Sequence, residues 1–322
     1  MAIQDETRPP TTRVVLCVAL AVLCGCAVAV QSRINGQLGS DLGDGFVAAL
    51  ISFGSGLVII ALVALISRAG RNGIRTVRAA IRAGEIPWWH TAGGIGGALF
   101  VLSQGVVVGL LGIALFTVAT VAGQTISGMV IDARGVGTMP PKAITITRIV
   151  GAALALVSVL IAVLPQVSGQ AHVWVIAAPF AVGLLLGLQQ ALNGQIKTLA
   201  NSATAATFFN FLFGTAILAV FAAVNLAIAG LPHSYPSNPV FYLGGAIGVL
   251  FIAGFAAVTP TIGVLLQSLA AVSGQLLMAL LLDFVAPTDG LGVGIATVIG
   301  TALTLLAVGI AALPRKRPSR VQ

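Results

Sequence analysis

Long apolar runs alternate with short polar interruptions along this chain. Ten runs, each near the length of one membrane crossing, are read at about 14–34, 46–66, 88–108, 112–131, 143–164, 172–192, 204–229, 240–258, 261–283 and 291–312. Breakers separate them: Pro87, Pro140 with Pro141, Pro165, the segment from Pro232 to Pro239, Pro260 and Pro287. Short alternating strands of the kind that build a membrane barrel are not seen. The pattern predicts an all-α polytopic membrane protein with ten transmembrane helices.

The polar interruptions repeat. "QSRINGQ" follows the first apolar run and "QQALNGQ" follows the sixth. A shift of 158 positions sets Gln31, Asn35, Gly36, Gln37, Phe53 and Gly56 on Gln189, Asn193, Gly194, Gln195, Phe211 and Gly214. A shift of 151 sets Gly93, Gly94, Gly97 and Phe100 on Gly244, Gly245, Gly248 and Phe251, and Gly123, Gln124 and Asp132 on Gly274, Gln275 and Asp283. The matches are collinear. Each half holds five runs, an odd number, so the second half enters the bilayer in the opposite sense. This is an inverted-topology repeat, a plan many secondary transporters use. The expected organisation is a cytoplasmic tail 1–13, a five-helix repeat 14–164, a linker 165–171, a second five-helix repeat 172–313 and a basic cytoplasmic tail 314–322.

Composition agrees: 58% of residues are hydrophobic and 7% are charged, against about 25% charged in soluble chains. The net charge of +8 raises nucleic-acid binding, but the positions of the charges oppose it. Arg68, Arg71, Arg75, Arg78 and Arg82 crowd one polar segment, and Arg315, Lys316, Arg317 and Arg320 crowd the C-terminal tail. Basic loops stay cytoplasmic. Threading from the arginine segment places both termini, Arg134, Lys142 and Lys197 on that side. Cys17, Cys24 and Cys26 share one apolar run and read as small apolar fillers rather than a disulfide framework.

Few residues can carry chemistry. Gln31 with Asn35, and Gln189 with Asn193, stand four apart and share a helix face. Their amides both donate and accept hydrogen bonds. They line a substrate path, or Asn-Gly merely ends the helix; the sequence leaves both open. Gln124 and Gln275 lie nearer mid-span, as substrate contacts or as interhelical hydrogen bonds. Gln104 and Gln267 are further polar candidates whose repeat mates are Phe255 and Phe116. Ser52 and Asn210 precede the paired phenylalanines and read first as packing. Arg148 reads as a snorkelling cation, with anion pairing as the alternative; its repeat mate is Thr297. Asp132 and Asp283 read as interfacial helix ends. The Gly93/Gly97 and Gly244/Gly248 pairs read as close packing internal to each bundle. Inside the spans the reading finds no carboxylate relay, metal-ligand spacing or nucleophile motif, so neither an enzyme nor a cofactor or metal is expected.

"AVQSRINGQLGSDLGDGFVAALISFGSGLVIIAL" and "GLQQALNGQIKTLANSATAATFFNFLFGTAILAV" resemble the YdcZ-type branch of the drug/metabolite transporter superfamily. That unit carries Gln, three residues, Asn, then a Phe-containing second helix with Gly three on, and Gly-Gln in its fourth helix. The resemblance spans about 14–313 and implies a ten-span fusion in a bacterial-type inner membrane. It also implies export, without naming a solute. The expected function is a secondary transporter moving a small neutral or amphipathic metabolite or drug by alternating access. A passive channel, a lipid-flipping protein or a non-transporting assembly protein are the alternatives. The partners are the solute and the bilayer, with the chain as monomer or homodimer. Threading gives a direct test: alkaline phosphatase should be active when fused within 165–171 and inactive after Gln322, and green fluorescent protein should do the reverse. A second half with four spans instead of five would make both sites behave alike.

Overall fold

The computed structural model describes residues 10–135, 141, 145–163, 173–232, 234–285 and 295–312. It is helical throughout those residues, with ten α-helices: α1 Thr11–Leu42, α2 Gly45–Ile66, α3 Arg68–Arg82, α4 Gly94–Arg134, α5 Ile146–Val163, α6 Val173–Ala200, α7 Ala203–Ala229, α8 Gly244–Ile262, α9 Val264–Val285 and α10 Ile295–Ala312. One-turn 3-10 helices at Trp88–Thr91 and Pro239–Tyr242 lead into α4 and α8. Among the described residues, five helical stretches are long and apolar enough to cross a bilayer: Thr11–Leu42, Gly45–Ile66, Ala203–Ala229, Pro239–Ile262 and Val264–Leu282. Leu16, Leu23, Leu62, Leu65, Val220, Val224 and Leu250 are exposed on their outer faces, which suits contact with lipid rather than water.

Asn-Gly ends neither helix. α1 runs on through Asn35-Gly36 for another turn and more, and stops at Gly43 in the left-handed region (φ 66°). Asp44 then caps α2, accepting the backbone N–H of Phe46 and Val47. In the second half α6 runs through Asn193-Gly194 to Ala200. Asn201 takes the positive φ and Ser202 caps α7 on Ala205 N. Gly43-Asp44 and Asn201-Ser202 are related by the same shift of 158. The true stop signals are therefore repeated too, one and a half to two turns beyond the Asn-Gly pair.

Three other boundaries differ from the sequence reading. The arginine segment is not a loop: α3 is an amphipathic helix whose Val77 and Ala80 pack on Ile196, Ala206 and Phe209. Arg68, Arg75, Arg78 and Arg82 are exposed, while Arg71 donates through Nη1 to the Leu65 and Ile66 carbonyls at the end of α2. The break between the eighth and ninth runs falls at Gly263 (φ 83°), since Pro260 is accommodated inside α8. The third and fourth runs form one helical element, α4. A straight helix would hold Gly96 and Ser127 about 46 Å apart. Gly96 lies against Leu185, and Ser127 donates to the Leu184 carbonyl at 2.8 Å. The two arms of α4 therefore fold back on the same stretch of α6.

The halves interleave. α1 packs on α8 and α9, and α6 packs on both arms of α4. The contacts come in repeat-related pairs made by glycines. A methyl group on Gly25 would stand 2.0 Å from the Ala271 carbonyl oxygen, and one on Gly183 would stand 2.0 Å from that of Thr120. Gly94 and Gly245 meet the backbones of Asn210 and Ser52 at 1.7 Å and 2.3 Å on the same measure. The GxxxG pairs thus join one half to the other rather than closing each bundle internally. Grouped by these crossings, α1, α2, α8 and α9 make one mixed unit and α4, α6 and α7 the other; the two meet most extensively where α2 packs on α7, and α5 packs on α10.

The ring of Phe53 sits on Gly214 and the ring of Phe211 on Gly56, at the seam where α2 meets α7. The rings are 5.2 Å apart and tilted by 44°. Asp132 was expected at an interface but is buried. Its carboxylate accepts the N–H groups of Val264 at 2.9 Å and Leu265 at 3.3 Å, capping α9 just after the Gly263 break. The linker, both terminal tails' outer residues, Lys142 and His172 lie outside the described residues, as do the side chains of Asp283, Arg148 and Thr297.

Adding volume at the backbone crossings should be costly. Gly94→Val and Gly25→Val should each destabilise by at least the roughly 1–3 kcal/mol typical of overpacking, because backbone atoms cannot rotate away. Gly54→Ala, with nothing within 4 Å, should be neutral or gain up to about 1 kcal/mol from lower unfolded-state entropy. Thermal unfolding in detergent, followed by size-exclusion recovery, measures all three.

Candidate functional site

Two amide clusters flank the Phe53–Phe211 pair, one in each mixed unit. The first is built from α1, α2 and the start of α8. Gln31 and Asn35 lie one turn apart, both buried. Gln31 Nε2 donates to the Gly244 carbonyl at 2.7 Å. Asn35 and Ser52 rest on the bare face of Gly244, where a methyl group would stand 2.2 Å from Asn35 Oδ1 and 2.8 Å from Ser52 Oγ. Neither Asn35 Nδ2, Asn35 Oδ1 nor Ser52 Oγ has a hydrogen-bond partner.

The second cluster is its repeat mate, built from α6, α7 and the start of α4. Gln189 Nε2 and Asn193 Nδ2 both donate to Asn210 Oδ1, each at 2.9 Å. Gln189 presses on Gly97, as Gln31 presses on Gly248. Asn210 is fully buried. It reaches one bond further than Ser52, and that reach closes the network. Ser52 and Asn210, read from sequence as packing, thus decide how the two clusters differ.

A narrow crevice of about 10 Å³, room for about one water, opens beside the first cluster. Asn35, Gly36, Gly45, Ala48, Ala49, Val101 and Gln104 line it. Gln104 Nε2 donates to Ser32 Oγ at 2.8 Å, and Ser32 donates on to the Val28 carbonyl. Gln104 Oε1 is left without a partner. No charged residue stands in this lining.

The remaining candidates fall elsewhere. Gln124 is buried on α4 where Gly123 meets α6, and Gln275 is half-buried on α9 where Gly274 meets α1. Neither hydrogen-bonds to the two clusters. Gln267 is fully buried, with Oε1 bonded to the Thr259 hydroxyl and Nε2 unpaired. Arg148 lies on α5, and its side chain is among those outside the described residues. The sequence reading passed over Gln190, whose Oε1 accepts from Ser268 at 2.9 Å. It also passed over Ser32, the partner of Gln104. Gln190 adjoins a motif residue, so its signal was present; that of Ser32 was not, since a serine in an apolar helix ordinarily bonds its own backbone. Among the described residues no group of three His, Cys, Asp or Glu could hold a metal ion.

No curated protein matches the chain significantly. Twenty-four chains of solved structures match in fold. One, described as "Crystal structure of protein", superposes with a TM-score of 0.63 at 16% identity, over 93% of this chain and 96% of its own. At that identity the likeness speaks for the fold alone. The family described as "Putative inner membrane exporter, YdcZ" matches twice, over residues 16–161 and 174–310. The two matches coincide with the two halves that the repeated motifs and paired contacts mark out, and the chain belongs to this YdcZ-type family of the drug/metabolite transporters, with two copies of the family unit in one polypeptide.

Proposed function

We propose that the protein is a secondary transporter of the inner membrane that exports a small neutral or amphipathic compound by alternating access. The chain crosses the bilayer ten times as two inverted five-span repeats, with α3 and both termini on the cytoplasmic side. The observation that carries the reading is the pair of buried, repeat-related amide clusters at the crossing of the halves. Buried amides are costly in lipid unless they meet protein or solute. Inverted-repeat carriers place their sites at such a crossing.

Interleaving sets what moves. The sequence halves do not form separate bodies, so they do not rock as units. The moving bodies are the mixed units, α1–α2–α8–α9 against α4–α6–α7, each carrying one amide cluster. The Phe53–Phe211 contact is the pivot between them. Amides without nearby charge favour an uncharged solute, since a buried ion needs a counter-charge.

Loop pairing supports the orientation. α3 packs at the α6–α7 turn, where Gly73 meets Ser202. At the opposite end the α1–α2 turn meets the segment before α8, through Ser234 Oγ to the Asp41 carbonyl, and meets the end of α7 through Asn225 to Asp44. The arginines therefore gather at one end of the helix bundle and the Asp41–Asp44 turn at the other.

In proteoliposomes the protein should drive saturable solute movement with counterflow, and Asn35→Ala/Asn193→Ala should reduce flux by at least an order of magnitude in a protein that still elutes as a single species. Flux that rises linearly with solute and shows no counterflow would identify a channel. Flux unchanged in the double variant would remove the clusters from the path.

A further inference from the structure

The arginines of α3 form a single stripe. Arg68, Arg71, Arg75, Arg78 and Arg82 are spaced three, four, three and four apart. At 3.6 residues per turn they fall within an arc of about 80°. Gly70, Gly73, Val77 and Ala80 fall on nearly the opposite side and are buried against α2, α6 and α7. Arg68, Arg75, Arg78 and Arg82 are exposed, while Arg71 holds the Leu65 and Ile66 carbonyls. Between Ser67 and Ala92 the only acidic residue is Glu85, three residues beyond the end of the helix.

Both ends of the stripe adjoin lipid-facing side chains. Ser67 belongs to two helices: its N–H bonds the Val63 carbonyl at the end of α2, and its hydroxyl accepts from Gly70 N at the start of α3. Arg68 therefore follows the exposed Leu65 and Ile66 with no linker. At the other end Trp88 and Trp89 are exposed, and the Trp88 ring stacks on Phe213 of α7 at 6.4 Å. Exposed tryptophans beside apolar spans mark the level of the lipid headgroups. With both ends held there, the 15 residues of α3, about 22 Å of helix, lie along the surface of one leaflet. The equivalent connection in the second half, residues 230–243 between α7 and α8, carries no Asp, Glu, Lys or Arg. Ser234 within it bonds the Asp41 carbonyl. The basic stripe is thus a property of one face of the membrane and not of the repeat.

Resting on the membrane reading above, we infer that α3 is a binding surface for anionic phospholipid headgroups of the leaflet it lies on, the cytoplasmic one. Four guanidinium groups in a row meet phosphodiester oxygens through charge-assisted hydrogen bonds, and anionic lipid gathers at basic segments beside membrane spans. The lipid's chains lie against Leu65, Ile66 and Trp88 while its headgroup meets the stripe. A nucleic acid would meet the same charges only from the aqueous side, and those apolar flanks would contribute nothing. The bound lipid holds α3, and through Val77 and Ala80 it braces the α6–α7 end of the bundle.

The test uses tryptophan fluorescence in nanodiscs. The chain has three tryptophans, Trp88, Trp89 and Trp174, so a parent carrying Trp174→Phe keeps only the two beside α3. Phosphatidylglycerol and phosphatidylcholine are mixed at equal mole fraction, and each in turn is brominated on its acyl chains as the quencher. Phosphatidylglycerol should be enriched beside the tryptophans by at least about fivefold, the weight of one basic residue near the surface, and the enrichment should fall as salt is raised. It should vanish in Arg68→Gln/Arg75→Gln/Arg78→Gln/Arg82→Gln and persist in Arg68→Lys/Arg75→Lys/Arg78→Lys/Arg82→Lys. All four sites are exposed, and glutamine and lysine keep helix propensity, so both variants should elute and melt with the parent. Arg71 is left in place because it ties α3 to α2. The inference is overturned if the glutamine variant keeps the enrichment, if the lysine variant loses it, if the parent shows none, or if an equimolar oligodeoxynucleotide displaces the lipid. Absence of quenching by either lipid would set α3 away from the bilayer and overturn it too. The measurement reads no flux. A lipid preference that follows the arginines stands even where proteoliposomes show no transport. Transport without that preference leaves the carrier standing and removes the lipid surface.

Discussion

Phe53 and Phe211 hold each other across the seam, and each ring occupies the place a side chain on the other half's glycine would fill. Any side chain at Gly56 or Gly214 would displace the ring. Within a bilayer there is little hydrophobic force between helices, so association depends on close packing and on satisfied polar groups. A tilted aromatic pair contributes about 0.5–1.5 kcal/mol beyond its area. The larger effect is geometric. The pair fixes how α2 meets α7, and with it the registers of α1 on α8 and of α6 on α4.

Everything polar in the interior follows from that register. Gln31 reaches the Gly244 carbonyl, and Asn210 gathers Gln189 and Asn193, because bare glycine faces let the backbones approach. Where the match is incomplete, at Asn35 and Ser52, a narrow crevice opens beside it. The buried carboxylate of Asp132 follows the same logic. Gly263 breaks the chain between α8 and α9, the first N–H groups of α9 are left without helical acceptors, and the α4 carboxylate accepts two of them.

Much of the fold was legible in the residues. The apolar runs, the two motif copies and the shifts of 158 and 151 located every helix pair that later proved equivalent in contact. Helix ends were less legible. Asn-Gly resembles a terminator, but Asn35 and Asn193 remain helical because their side chains have interior surfaces to face, and the chain reverses only at Gly43 and Asn201. The arginine segment read as a loop because its mean polarity is high; only the packing of Val77 and Ala80 shows that its sparse apolar residues form one stripe. Spacing likewise places an amide on a helix face but does not say what stands opposite.

The sequence alone determined the solvent this chain lives in, the number of its repeated units and the residues that carry polarity into the interior, because hydropathy, period and self-similarity are properties of the chain read in order. It could not determine partners. Helix one of each half packs on helices three and four of the other, and Ser52 differs from Asn210 in consequence only because Asn35 and Asn193 lie beside them. Those contacts join residues far apart in the chain through glycine faces that any neighbour could occupy. Which neighbour occupies them is settled when the helices pack.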